Sequence, residues 1–161
     1  MRYLFIFFLL LCSAWSLAED RANTDVLAIV IPTNQTVNSL KLTPEKLQLI
    51  YLRKQLYWPD GKRIQPINLR SDHHLRQQFS QTILGNLPKA QIDYWNGQYF
   101  NGVLPPHTVN SEEAVIRYVA QTNGAIGYVQ ACLVDDRVNA VVWLIPNGNI
   151  LTNKPTLNCN K

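Results

Sequence analysis

The stretch Asp25 to Pro32, DVLAIVIP, is an unbroken apolar run rich in β-branched residues and closed by proline. It reads as a strand buried on both faces. The polar TNQTVNSLKL that follows is a loop. In TPEKLQLIYL, Thr43 stands at a cap position and Pro44 at the first helical position, where a missing N–H costs nothing. Leu47, Ile50 and Tyr51 recur at three-to-four spacing, so the segment is an amphipathic helix. WPDGKR is a turn that tightens at Asp60-Gly61. IQPINL is a short strand, and Pro66 points to an edge or a bulge. Next, Leu75, Phe79 and Ile83 line one helical face, and Gly85 offers the stop.

Pro88 opens another helix, in which Ile92 and Trp95 or Tyr99 are expected to face inward. NGVLPPHTVN, with two prolines, reads as a loop. Ser111 caps SEEAVIRYVAQTN, with Glu112 and Glu113 in the first turn, where the helix dipole favours them. Val115, Tyr118 and Val119 form its apolar face, and Asn123-Gly124 ends it. AIGYV and VNAVVWLI are strands, and the tail from Pro146 is turn-rich. Strands alternating with helices imply an α/β layer with a mostly parallel sheet flanked by helices. No repeat or low-complexity linker divides the chain.

Composition adds an N-terminal feature. MRYLFIFFLLLCSAWSLA carries Arg2, an apolar run from Leu4 to Leu11 and small residues at the end, and reads as a secretory signal peptide over residues 1–18. The run is too short to span a bilayer comfortably. Leu11 argues against a lipid-modified Cys12. Residues 19–161 then form one exported α/β domain, placed by the signal in the periplasm, with no stable membrane span. Cleavage removes one of the 15 Lys and Arg residues, leaving 14 against 11 Asp and Glu, a net charge of about +3. No basic run of five occurs, which argues against nucleic acid; a small anion suits the mild positive charge. Cys132 and Cys159 remain. In an oxidising compartment they are expected to bridge, closing a loop that is worth roughly 3 kcal/mol. No metal-ligand spacing surrounds them.

The candidate chemistry lies in INLRSDHHLRQQF, where a strand ends in Arg70 and a helix follows. Two readings stand side by side. Arg70, Ser71 and the amides of Asp72, His73 and His74 form an anion site at a helix mouth. Alternatively, Ser71 or Asp72 is an ordinary cap. His73, His74 and His107 invite a metal reading, but adjacent helical residues point about 100° apart, and solvated histidines are the simpler account. Tyr94, Trp95, Tyr99 and Phe100 are either an aromatic platform for a sugar or peptide or packing residues. Nothing recommends a nucleophile, an enzyme or a cofactor.

Two segments resemble phosphate-type periplasmic substrate-binding proteins. LTPEKLQLIYLRKQLYWPDGKRIQPIN keeps Leu42, Leu47, Ile50, Trp58, Gly61, Ile64 and Pro66. QYFNGVLPPHTVNSEEAVIRYVAQTNGAIGYV, preceded by Trp95, keeps Phe100, Gly102, Pro105, Pro106, Val119, Ala120 and Gly124 to Val129. The resemblance implies a single lobe of the type 2 periplasmic-binding-protein fold, with Gly124 at positive φ and Gly127 in close packing. Trp58 is expected to cover the end of the core with its indole N–H at the surface. It further implies phosphate or another small oxyanion as ligand and an ABC transporter as partner. The family's R-x-x-G-S-G-T stretch is reduced here to Arg70 and Ser71, so the site is either degraded or retuned. The alternative is a periplasmic module that meets a sensor or an envelope protein.

Overall fold

The computed structural model describes residues 26–35, 41–146 and 148–159. The expected signal peptide, Cys12 and the new terminus at Glu19 lie outside these. Strand β1 (Leu27–Pro32) is buried along its whole length, as its continuous apolar run requires. Helix α1 (Pro44–Tyr51) starts where the Thr43 hydroxyl accepts from the Lys46 N–H at 3.2 Å. Strand β2 (Gln65–Leu69) leads into α2 (His74–Phe79), which runs on as a π-helical turn over Ser80–Leu84 and stops at Gly85. A 3₁₀ turn over Pro88–Gln91 opens α3 (Ile92–Phe100). Then come β3 (His107–Val109), α4 (Glu112–Gln121), β4 (Ala125–Gln130), β5 (Val138–Leu144) and β6 (Ile150–Leu151).

The six strands form one sheet in the order β3-β2-β4-β1-β5-β6. The α/β class and the flanking helices are as expected, but the sheet is mixed rather than mostly parallel. β2 runs parallel to β3 and β4, whereas β1 is antiparallel to both β4 and β5, and β6 is antiparallel to β5. β1 enters between β4 and β5 in the opposite sense. A strand buried on both faces reads the same in either direction, so its apolar run did not disclose this. β3 and β6 were hidden in stretches read as loops.

Helices cover both faces. On one, Tyr128 of β4 stacks on Phe79 of α2 with ring centroids 4.2 Å apart and tilts against Tyr51 of α1 at 5.9 Å. On the other, Gly127 faces α4: a Cβ there would lie 2.5 Å from Val115 Cγ1. Trp58 is buried, and its indole N–H donates to the Gly124 carbonyl at 3.0 Å, so the expected surface N–H is corrected. A buried donor needs a partner, and the Gly124 turn supplies one.

α3 departs most from expectation. None of its residues is buried, and Ile92, Tyr99 and Phe100 are 54%, 66% and 88% exposed. Tyr94 holds the helix to the body by donating to the Leu52 carbonyl at 2.7 Å. The inward face assigned to Ile92 and Tyr99 has no layer to meet, and Trp95 is only half-buried.

Cys132 and Cys159 are joined by a disulfide that ties the tail to the end of β4. The Cys132→Ser/Cys159→Ser double variant is expected to lose about 3 kcal/mol in urea unfolding, the loop-closure value for a crosslink of this span. An unchanged midpoint would show that the crosslink contributes nothing to stability.

Candidate functional site

β2 and β3 lie side by side and parallel, paired from Ile67↔His107 to Leu69↔Val109. Their exits diverge. β2 leads to α2 on the Tyr51–Tyr128 face, and β3 leads through Asn110 to α4 on the opposite face. Neighbouring parallel strands whose connections leave to opposite faces open a crevice at their carboxyl ends, the usual ligand position in open α/β sheets. An open depression lies there, lined by Arg70, Asp72 and His73 from the first exit and Asn110 from the second.

The bend is built locally. The His73 N–H donates to the Arg70 carbonyl at 3.0 Å, closing a turn over Ser71 and Asp72. The cap of α2 is neither Ser71 nor Asp72, as the capping alternative had it. His73 takes that place, its Nδ1 accepting from the Leu75 N–H at 3.3 Å. Asp72 is engaged elsewhere. Its two carboxylate oxygens accept from Arg70 Nε at 3.2 Å and Nη2 at 3.0 Å. Both partners are largely exposed, so the pair is worth little to the fold. It does neutralise the charge of Arg70 at the rim. His74 is exposed and stacks on His73 at 4.8 Å, and Ser71 is exposed at the tip.

The bend brings together Arg70, Asp72 and His73, three of the residues named from the sequence. Sequence reasoning missed Asn110, which entered with the unrecognised strand β3. His107 stands apart, level with Ile67 and stacked on Tyr118 at 5.1 Å. Among the described residues no three His, Cys, Asp or Glu side chains cluster as metal ligands would.

The acidic first turn of α4 is occupied by its own partners. The Glu112 carboxylate accepts from the Gln130 N–H at the end of β4. Glu113 accepts from both terminal nitrogens of Arg137 at 2.7 and 2.8 Å, and Arg137 also holds Asp135. These bonds keep the Glu113 and Asp135 carboxyls below their ordinary range and raise Arg137.

A buried polar group lies at the end of β2, next to Arg70 in the sequence. The Tyr128 hydroxyl accepts from the Leu69 N–H at 3.3 Å and donates to Asn68 Oδ1 at 3.2 Å. Arg76, 7% exposed, lies beside it and donates from Nη2 to Gln91 Oε1 at 3.4 Å. Burial pushes the Tyr128 hydroxyl up to about 12, against the opposing pull of Arg76 and the Leu69 N–H.

No family model matches the chain, and no curated protein matches it. Solved structures do. One is a Clostridium perfringens protein assigned as a phosphate ABC transporter substrate-binding protein, with bound phosphate: 19% identity over 71% of this chain and 43% of that one, TM-score 0.57. Another is an ABC-type phosphate transport receptor from Vibrio cholerae: 20% identity over 78% of this chain and 52% of that one, TM-score 0.53. The chain spans about half the length of these structures. The fold expected from the resemblance is therefore the fold observed.

Proposed function

We propose that residues 19–161 form an exported, non-enzymatic, single-lobe binding protein of the periplasm that takes phosphate or a similar small oxyanion in association with an ABC-type transporter. Arg70, Ser71 and the amides of Asp72 and His74 are its contacts; the amide of His73, expected among them from the sequence, is already given to the Arg70 carbonyl. The observation that carries this reading is the depression at the β2–β3 switch point, lined by Arg70, Asp72, His73 and Asn110, on a fold shared with a phosphate-bound structure. An open site buries and dehydrates little of its ligand, so binding is weak. Isothermal titration with phosphate, sulfate and a carboxylate tests it; no heat from any of the three sinks the reading.

Asp72 sets the sign of a sharper prediction. Its carboxylate occupies the Arg70 donors that an oxyanion needs and repels the ligand. Asp72→Asn is expected to tighten phosphate binding about tenfold, the effect of removing one unit of repulsion at close range in partly exposed surroundings. Weaker binding in this variant would mean that Asp72 is itself a contact.

The exposed Ile92, Tyr99 and Phe100 of α3 favour a second reading, an interaction module that meets a periplasmic sensor or envelope protein. The two separate on Arg70→Ala, which abolishes anion binding in the first and leaves partner capture intact in the second.

A further inference from the structure

Backbone pairing between β2 and β4 covers only Gln65↔Ala125 and Pro66↔Ile126. Beyond that point β2 runs on to Leu69 and β4 to Gln130. Two tyrosine hydroxyls stand in the gap. The Tyr51 hydroxyl lies 3.3 Å from both the Ile67 and the Ile126 carbonyls, sharing its proton between the two strands. The Tyr128 hydroxyl takes the Leu69 N–H, three residues beyond the last β2–β4 pair. Its ring cannot drift, being stacked on Phe79 almost in parallel, at 4°.

Arg76 completes the arrangement. None of the ion pairs among the described residues includes it, and its Nη1 has no hydrogen-bond partner there. A buried guanidinium held without a carboxylate is costly. It gives a fixed cation beside the Tyr128 hydroxyl, one helical turn beyond His73. We propose that Tyr128 and Arg76 are positioning residues: a buried polar strut that stands in for the missing ladder bonds, fixes the end of β2, and thereby holds the Arg70–His73 bend in shape. Its consequence for ligand binding rests on the oxyanion reading; the strut itself does not.

Tyr128→Phe keeps the ring stack and deletes the hydroxyl. In the ligand-free protein, amide exchange at Leu69 and His73 is expected to accelerate about tenfold or more, while the β1–β4 ladder keeps its protection. Arg76→Lys, which retains charge but not the planar fork, is expected to give the same local pattern more weakly. Unchanged exchange at Leu69 and His73 would overturn the proposal. So would acceleration spread evenly over the sheet, which marks a general loss of stability. Titration of both variants with inorganic phosphate separates the claims. Weaker binding than wild type supports the strut's part in the site, and equal binding limits the strut to the fold. If the wild type takes no phosphate, only the ligand reading falls, and the exchange pattern still decides the strut.

Discussion

Gly124→Ala is expected to cost about 4 kcal/mol and to lower the melting temperature by roughly 10 °C. Two penalties combine. Gly124 sits at φ +77°, where a side chain costs about 1–2 kcal/mol. A Cβ there would lie 2.3 Å from the Arg63 carbonyl oxygen, which is backbone and cannot swing away. Relieving that clash moves the start of β2 or the turn that ends α4, at about 1–3 kcal/mol for an overpacked interior. The same turn also accepts the Trp58 indole N–H and the Gln65 N–H, both at 3.0 Å, so displacing it strains two further bonds.

Gly85 isolates the first penalty. It has the same φ of +77° with nothing within 4 Å of its missing Cβ. Gly85→Ala should therefore lose only about 1–2 kcal/mol. Urea midpoints of the two variants measure the difference. Equal losses would show that the Arg63 contact relaxes freely and that Gly124 matters only for its backbone angle.

Much of this was legible in the sequence because local rules set it. Thr43 and Ser111 cap their helices, Gly85 and Gly124 stop theirs, and the β-branched runs of β1, β4 and β5 are strands. Strand direction was not legible, because it depends on long-range register. The three residues of β3 follow Pro105-Pro106 and carry too short a pattern to stand out. α3 misled for the opposite reason. Its apolar spacing is good, but amphipathicity specifies a face and not a partner for it.

The bend shows the same limit at the candidate site. Ser71, Asp72 and His73 all carry acceptors near a helix start, and sequence alone ranks the first two higher. Arg70 decides the competition by drawing Asp72 away from the helix, which leaves the cap to His73. Trp58 follows a similar logic: its indole needs a partner, and only the folded turn reveals that Gly124 provides it.

Gly127→Val is expected to cost about 3 kcal/mol and to weaken anion binding as well. A Cβ at Gly127 would lie 2.5 Å from Val115 Cγ1 and 3.1 Å from Val119 Cγ2. Both valines are fully buried and are stiff at χ1 within a helix, so they cannot rotate aside. Relief comes from lifting α4 off β4. The N-terminus of α4 follows Asn110, one wall of the depression, so the lift changes the distance between Asn110 and Arg70. A compensating cut tests this route. Val115→Ala alone leaves a cavity and costs about 2 kcal/mol. Combined with Gly127→Ala it vacates the space that the new methyl fills. The double variant should be more stable than the sum of the two single losses by at least about 1 kcal/mol. Strict additivity would mean that β4 and α4 do not meet through this contact, and the coupling from Gly127 to the depression would fall with it.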